Sequence, residues 1–357
     1  MTRPVLVFAA ATLVPVALLA CGALMGGGWL IAACLYLTLF TASLDELIQF
    51  ASEDAPDGAE FPAADGLSAA LALSHFMLWP LAVSAISGAN GAANWEQFLA
   101  LICFGLFFGQ VSNSNAHELI HKTNYTMHSL GKWVYISLLF GHHTSAHVYI
   151  HHRHVGTRDD PQTARFGESF YRYAVRAWRG SFKQGLIAEN RMQRMRYQRL
   201  KFSHHPYTHY LLGALVMLGF SLVIGGWAGL AALLALAGYA QTQLLLSDYV
   251  QHYGLKRQIM DNGKVEPIGI EHSWNAPHFF SSALMLNAPR HSDHHAHPSK
   301  NYASLALPGA DEAPMLPRSL PVMAVVALFP PFWRKVMDPL AMQWQPETRD
   351  TLSIAAQ

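Results

Sequence analysis

Long stretches without a charged side chain alternate with polar segments along this chain of 357 residues. Residues 5–44 are uncharged, which is too many for one membrane-spanning helix and enough for two of about 20 residues. A second such stretch covers about 66–95, and a third covers 211–247. Glycine runs at 26–28 and 225–226 interrupt the first and third stretches, and such runs favour turns. The pattern therefore predicts helical hairpins that cross a membrane.

These boundaries predict an all-α integral membrane protein with one membrane domain over residues 1–357 and six transmembrane helices in three hairpins. The predicted spans are about 5–25, 29–49, 67–87, 95–116, 209–226 and 228–248. Twelve of the 24 Lys and Arg residues lie between His151 and Lys201, against four acidic residues. Because cytoplasmic loops are enriched in Lys and Arg, we expect the histidine-rich regions 117–205 and 249–335 on the cytoplasmic side.

Three other segments affect this prediction. Residues 133–149 and 320–333 are apolar but short, and we expect both to form interfacial or re-entrant helices packed under the bundle. The loop 45–65 carries seven acidic residues and no basic one. Charge runs are usually solvated, so this loop is expected to be a solvated connector, with a docking surface for a basic partner as the alternative.

Composition agrees with a membrane protein, since hydrophobic residues make up 52% and charged residues only 13% of the chain. Soluble domains carry about twice that share of charge. The formal net charge of +1 gives no reason to expect a nucleic-acid partner. The three cysteines lie inside apolar segments and form no CxxC motif, which argues against a disulfide framework, a zinc ribbon or a rubredoxin-type iron site within the chain.

Nine of the 20 histidines fall into four groups beside the apolar stretches, and imidazole is a common ligand of iron, copper and zinc. The groups are His117 and His121; His147, His151 and His152; His252 alone; and His291, His294 and His295. Nine ligands are too many for one ion and suit two. The sequence therefore predicts a membrane-embedded dinuclear metal oxygenase.

The spacing within the groups predicts which imidazoles face the same way. His117 and His121 lie four residues apart, so on a helix they share a face; the same letters also match the HExxH motif of zinc proteases. His147 and His151 are expected to share a face, with His152 turned towards a second ion. His291, His294 and His295 repeat the i, i+3, i+4 pattern. A single histidine such as His252 is more often structural.

Several neighbouring residues are expected to support the ligands without binding metal. Asp293 is expected to orient an imidazole through its second nitrogen. His142 and His143 are expected to lie behind the ligands or at the membrane interface, although either could substitute for a ligand. His297 precedes Pro298, which is expected to end the helix, so His297 is predicted not to bind metal.

Five sequence blocks in order resemble the membrane alkane 1-monooxygenases and the related xylene monooxygenase hydroxylase subunits. They are His117-Glu-Leu-Ile-His-Lys, His147-x-x-x-His-His with Asp160-Pro downstream, Gln-His252-Tyr-Gly-Leu, His272-Ser-Trp-Asn and Arg-His291-Ser-Asp-His-His-Ala-His-Pro. The resemblance covers about residues 40–300. It departs from the family at Ala146 and Gln251, where the family usually has glutamate before a ligand.

The resemblance implies a six-helix bundle with a non-haem diiron site held by all nine histidines, His252 included. Two irons are then the cofactor and O2 is the cosubstrate. Residues expected to support the ligands are Glu118, Asp160, Asp248, His272 and Asp293, and no catalytic residue is expected beyond the ligands. A substrate channel is expected along Trp29, His75, Phe76, Trp79 and Phe107.

The implied reaction hydroxylates a terminal C–H bond of an alkane, with electrons from rubredoxin and its NADH-dependent reductase. The implied location is the bacterial inner membrane, where a hydrocarbon substrate concentrates among the lipids. Three alternatives stay open: a methyl-aromatic hydroxylase of the xylene type, a fatty-acyl desaturase or hydroxylase, and a metal transporter. A transporter would need its ligands near the bilayer midplane, whereas these histidines follow the helix ends.

Overall fold

The computed structural model describes residues 3–48, 54–56 and 59–345. Within these ranges the protein is built from helices, and the only β-type pairings are two isolated bridges. The helices are α1 (Arg3–Met25), α2 (Gly28–Leu47), α3 (Pro62–Ser87), α4 (Asn94–Ile120), α5 (Tyr125–Ser137), α6 (143–154), α7 (Phe170–Tyr197), α8 (Pro206–His252), α9 (Phe279–Leu284), α10 (His291–Ala296), α11 (Leu320–Ala327) and α12 (Pro330–Gln343). Short 3₁₀ turns lie at Phe202–His204, Ile270–His272 and Tyr302–Ser304.

Five of these helices, α1 to α4 and α8, are long and apolar enough to cross a membrane. Many of their large apolar side chains point away from the protein, as lipid-facing residues must. Val223 and Trp227 of α8, for example, are 83% and 80% exposed. The protein is therefore a multi-pass membrane protein. Neither 133–149 nor 320–333 is among the five candidate spans found in the described part of the chain.

The last of the five helices folds back on itself. Helix α8 covers 47 residues, but Gly225 and Gly226 near its middle have non-helical backbone angles. Gly226 has a φ of 58°, which glycine adopts without steric cost. A straight helix would separate Gly213 from Gln241 by about 42 Å, yet Gly213 packs on Ile136 and Gln241 bonds the carbonyl of Leu138. The glycine pair therefore joins two antiparallel legs.

The turns of three helical hairpins meet at one end of the bundle. The Glu96 carboxylate accepts hydrogen bonds from the backbone N–H groups of Gly27 (2.6 Å) and Ala93 (2.9 Å), which joins the α1–α2 turn to the α3–α4 turn. The turn of α8 packs at the same end, because Gly225 lies against Ser87 at the end of α3. The other ends of α4 and α8 carry His117, His121 and His252, so these ligand candidates lie at the opposite end of the bundle.

Two buried layers follow from this arrangement. Between the spans, apolar side chains of α1 to α4 and α8 form one cluster around Phe104, Phe107 and Leu233. Below the spans, a second cluster joins α5, α7, the end of α8 and α12 through large aromatic residues. Tyr249, Tyr253 and Trp333 are fully buried at its centre. This second cluster also includes Leu119, Ile120 and Val250, so it packs around the ends of α4 and α8.

Most acidic side chains that the structure describes in the segment 45–65 are exposed, as its charge predicted, but Asp45 is buried. Asp45 Oδ1 accepts hydrogen bonds from the backbone N–H groups of Phe280 and Ser281, both at 2.9 Å, at the start of α9. Asp54 pairs with the buried Arg290. Residues 49–53 and 57–58 of this loop lie outside the described residues. The loop therefore ties the second span to the segment that carries His291, because its carboxylates cap a helix and neutralise a buried cation.

Candidate metal centre

Four elements bring the nine ligand candidates together at the end of the bundle opposite the hairpin turns. The end of α4 carries His117 and His121, the end of α8 carries His252, and α6 and α10 supply the others. Their ring nitrogens form two groups, and within each group the nitrogens all lie within 4.8 Å of one another. The five-histidine group is His117, His121, His147, His152 and His294. The four-histidine group is His151, His252, His291 and His295.

The ring nitrogens approach one another closely inside each group. In the five-histidine group, His152 Nε2 lies 2.9 Å from His147 Nε2 and 3.1 Å from His294 Nε2. In the four-histidine group, His291 Nε2 lies 3.0 Å from His252 Nε2 and 3.1 Å from His295 Nε2. Adjacent nitrogen ligands at about 2.1 Å from a metal are separated by about 3 Å when they subtend a right angle. The spacing thus suits two coordination spheres.

Hydrogen bonding alone does not account for this convergence. A neutral imidazole nitrogen offers either one hydrogen or one lone pair, and the buried Nε2 atoms of His117, His121 and His151 have no hydrogen-bond partner. Leaving buried polar atoms unsatisfied costs free energy. A cation in each group would satisfy these lone pairs together, so the donor set fits two metal ions.

Burial also keeps most of these imidazoles in the form that binds metal. Burial lowers the pKa of His121 to about 4, and it lowers the pKa of His147 and His152 well below the usual value, with neighbouring imidazoles adding to the shift. The same causes lower the pKa values of His291, His294 and His295. Their folded state therefore favours the neutral ring.

The structure corrects the predicted grouping of the second histidine block. The spacing predicted that His147 and His151 share a face, but His147 faces His152, and His151 belongs to the other group. The reason is a π-turn over His147–His151, in which residues five apart come into register instead of residues four apart. The α10 block keeps normal helical spacing, and there His291 and His295 share a group as i, i+4 neighbours.

Asp160 orients one ligand candidate. Its Oδ2 accepts a hydrogen bond from His151 Nδ1 at 2.8 Å, and both side chains are fully buried. Burial opposes charge on both groups, but the ion pair outweighs it, raising the pKa of His151 and lowering that of Asp160. With Nδ1–H held by the carboxylate, His151 Nε2 is left to face the four-histidine group, as in carboxylate–histidine–metal arrangements.

The other predicted supporting residues contact different partners. Glu118 pairs with Lys122 at 2.8 Å, and Asp248 accepts a hydrogen bond from the side chain of Gln162. Asp293 does hold an imidazole, but it is that of the exposed His297, at 2.8 Å. His272 acts through its backbone carbonyl, which lies 3.4 Å from His252 Nδ1.

A cavity of about 520 Å³ leads to both histidine groups. His117 of one group and His291 of the other line its inner end, with Asn113, Asp248 and Gln251 nearby. Apolar residues of α2, α4, α8 and α11 line the rest, including Leu37, Leu39, Leu106, Leu244, Val322 and Val325. Leu39 and Val325 are also 64% and 58% exposed, so the cavity opens at the lipid-facing surface between α2 and α11.

The five residues predicted to line a channel are not among the residues around this cavity. Trp29 is 44% exposed, whereas Trp79 and Phe107 are buried in the packing between spans. His75 is buried and bonds Ser112 Oγ (3.0 Å) and Ser137 Oγ (2.7 Å) through its two ring nitrogens, and its ring packs against Phe76. The aromatic residues of the spans therefore did not mark the position of this cavity.

His143 and helix α11 contribute more to the site than the sequence predicted. His143 lines the cavity, and its ring lies 5.1 Å from that of His147. His142, in contrast, packs against Trp178 and Phe182, away from both groups. Helix α11, which supplies one wall of the cavity, corresponds to the short apolar segment 320–333. Its apolar residues between prolines predicted a short helix, but only its contacts show that this helix lines the cavity.

Fold and site together define a class: a multi-pass helical membrane protein with two adjacent histidine clusters that could each hold a metal ion at the ends of its spans. The fatty acid desaturase family model matches residues 93–326, and the chain belongs to this family. The matched region includes all nine histidines of the two groups.

The chain is also homologous to curated alkane 1-monooxygenases. It is 35% identical to alkane 1-monooxygenase 2 of Pseudomonas aeruginosa over 67% of this chain and 63% of that protein. It is 33% identical to alkane 1-monooxygenase of Ectopseudomonas oleovorans over 70% of this chain and 62% of that protein. The xylene/toluene monooxygenase hydroxylase component of Pseudomonas putida is 27% identical over 66% of this chain and 60% of that protein. The alignments thus span less than two thirds of each of these relatives.

Proposed function

We propose that this protein is an integral-membrane, non-haem diiron monooxygenase that hydroxylates terminal C–H bonds of alkanes. The balanced reaction converts R–CH3, O2, two electrons and two protons into R–CH2OH and H2O. The observation that carries this proposal is the cavity, which runs from the lipid-facing surface to His117 and His291 between largely apolar walls. An apolar cavity of this size suits an unbranched hydrocarbon chain, because its walls can select a substrate by shape and offer few polar contacts.

Iron is the proposed metal because imidazole-rich ligation suits a metal that changes oxidation state. The nine histidines of the two groups would hold two irons, and the irons would supply the activation of dioxygen. The chain's own residues hold the ligands in place and exclude water. Asp160 keeps the proton of His151 on Nδ1, and the leucines and valines of the cavity wall keep bulk water from the inner end. Asn113, Asp248 and Gln251 offer polar contacts where the hydroxyl group forms.

We further propose that the two legs of α8 cross the bilayer separately, which gives six spans with the histidine end in the cytoplasm. The non-helical Gly225–Gly226 turn and the packing of both legs on residues 136–138 support this count. The excess of Lys and Arg between His151 and Lys201 supports the orientation. The proposed location is the inner membrane of a bacterium, because there the hydrocarbon is available from the lipid and the electrons are available from the cytoplasm.

The two electrons are proposed to come from rubredoxin, reduced by an NADH-dependent reductase. The sequence contains three cysteines and no CxxC motif, so this chain offers no cysteine set of its own for an iron–sulfur or rubredoxin-type carrier. The homology to alkane 1-monooxygenases supports an external donor of the kind that the sequence resemblance implied.

A methyl-aromatic substrate is the second candidate, and the similarity to the xylene/toluene monooxygenase component favours it. Membranes containing the protein, supplied with NADH, rubredoxin and its reductase, would be given octane, hexadecane, toluene and an acyl substrate. We expect primary alcohols from the alkanes. Benzyl alcohol as the main product would replace the alkane proposal with the aromatic one, and an olefinic acyl product would replace it with a desaturase. Absence of NADH- and O2-dependent product from every substrate would refute an oxygenase function.

A further inference from the structure

Helix α7 lies beside the bundle at the level where one leg of α8 begins. The Tyr207 hydroxyl, in the first turn of α8, donates a hydrogen bond to the carbonyl of Phe182 at 2.9 Å. Trp178 Nε1 donates to Gln241 Oε1 of the other leg, also at 2.9 Å. From Pro206 to the glycine turn, α8 runs about 20 residues, or about 30 Å, which equals the hydrocarbon thickness of a bilayer. These contacts therefore place α7 at one boundary of the hydrocarbon layer.

One face of α7 packs on the protein and the opposite face is free. Residues at every fourth position, Tyr173, Ala177, Ser181, Gly185 and Glu189, are buried. The free side carries a basic face, which consists of Arg179, Lys183, Arg191 and Arg194 and is exposed. None of these four cations forms a salt bridge within the described residues; on α7 only Arg176 does, with Glu168 at 2.6 Å.

Exposed apolar side chains are interleaved with these cations. Val175, Ile187 and Met195 are 53%, 55% and 63% exposed. A helix that combines unpaired Lys and Arg with exposed aliphatic residues, and that lies at the edge of the hydrocarbon layer, has the features of an in-plane interfacial helix. Its aliphatic groups can enter the acyl-chain boundary while the cations reach the headgroups.

We propose that the basic face of α7 binds the headgroups of anionic phospholipids in the leaflet on the histidine side of the bilayer. Charge complementarity and depth favour lipid over an acidic protein, because a soluble partner would have to cover apolar side chains that already lie at membrane level. Each cation near an anionic surface strengthens binding by roughly fivefold at low salt, and this effect weakens as salt rises. The bound lipids would anchor α7, which in turn supports α6 through the hydrogen bond between Ser145 and Glu189.

The test uses the full-length protein in nanodiscs of phosphatidylcholine and phosphatidylglycerol at equal amounts. Native mass spectrometry counts the lipids that stay bound after release from the disc. The test variant is R179Q/K183Q/R191Q. The matched control is R158Q/K256Q/K264Q, which removes three exposed cations from the loops that follow His154 and His252. Metal content of each preparation reports whether the fold is intact.

We expect the parent and the control to retain phosphatidylglycerol over phosphatidylcholine, and the test variant to lose this preference by about tenfold or more. A parent without preference, or a test variant that retains phosphatidylglycerol like the control, would overturn the proposal. So would a parent that ignores lipid charge but binds an acidic redox protein through these cations. Loss of lipid preference with unchanged metal content would separate the basic face from the proposed catalytic function.

Discussion

The hydrogen bond between Asp160 and His151 predicts that one of the two metal positions can be weakened selectively. In Asp160→Asn, the oxygen that faces Gln162 N at 2.9 Å can remain, so the loop keeps one of its contacts. The group that faces His151 Nδ1 then becomes an amide NH2, which donates a hydrogen bond and cannot accept one. His151 either loses this partner or moves its ring proton to Nε2, which removes the lone pair that faces the four-histidine group.

The expected magnitude comes from the burial of this pair. Both side chains are fully buried and 2.8 Å apart, so water cannot replace the lost acceptor. Changes to such outer partners of a metal ligand typically reduce metal affinity by about 10- to 100-fold, or roughly 1.4 to 2.7 kcal/mol. Because His151 belongs to the four-histidine group only, the five-histidine group should keep its affinity. We therefore expect one weakened ion and one unchanged ion per chain.

The measurement is a titration of metal-free protein in detergent with ferrous iron under anaerobic conditions, using total iron content after gel filtration as a second readout. The control is Asp159→Asn, since Asp159 is exposed and adjacent in sequence. The parent and control should bind two irons with similar affinity, and Asp160→Asn should hold one tightly. Two equally tight irons in Asp160→Asn would refute the orienting role of Asp160, and equal weakening of both irons would refute the division into two groups.

Three further predictions concern the other group, proton release and the helical hairpin. His294→Ala should empty the five-histidine group and abolish hydroxylation, whereas His297→Ala, at a neighbouring exposed site, should retain full iron. Full iron in His294→Ala would show that His294 is not a ligand. Burial keeps most of the candidate ligands outside the spans neutral, but the Asp160 ion pair raises the pKa of His151, so metal binding at pH 7 should release about one proton. Calorimetry in buffers of different ionisation enthalpy would measure this number, and release of several protons would show that the other imidazoles are charged. Gly229→Ala places a Cβ 2.1 Å from the Ser221 carbonyl and should lower the melting temperature, whereas Gly238→Ala, with open space around it, should leave it unchanged or raise it; equal melting temperatures would refute the close approach of the two legs.

Spans and ligand candidates could be predicted from sequence because both depend on local properties. Uncharged stretches of suitable length mark helices that lipid can solvate, and the glycine runs mark their turns. His117 with His121, and His291 with His295, each share a group because regular helices align residues four apart. The homology to alkane 1-monooxygenases confirms the resemblance that these motifs suggested.

Features that depend on distant contacts could not be predicted in the same way. A π-turn moved His151 to the other group and paired His147 with His152, and nothing in the residues 147–152 distinguished this turn from a normal helix. The channel prediction relied on aromatic residues, but the cavity is lined mainly by aliphatic residues, and α11 supplies one of its walls. The acidic loop was expected to be solvated because charge runs usually are. Its contacts with Phe280 and Arg290 join residues more than 230 positions apart, so the sequence pattern could not reveal them.

The amino-acid order by itself determined where the chain can enter a bilayer and which side chains can bind metal, since hydropathy and helical periodicity act over a few turns. The tertiary structure decided how nine imidazoles divide into five and four, which carboxylate bonds one of them, and where an apolar cavity meets both groups. Those outcomes arise from side chains that meet only after the hairpins pack. Their close packing, and the cost of burying an unpaired polar group, select one arrangement from many that the same pattern allows.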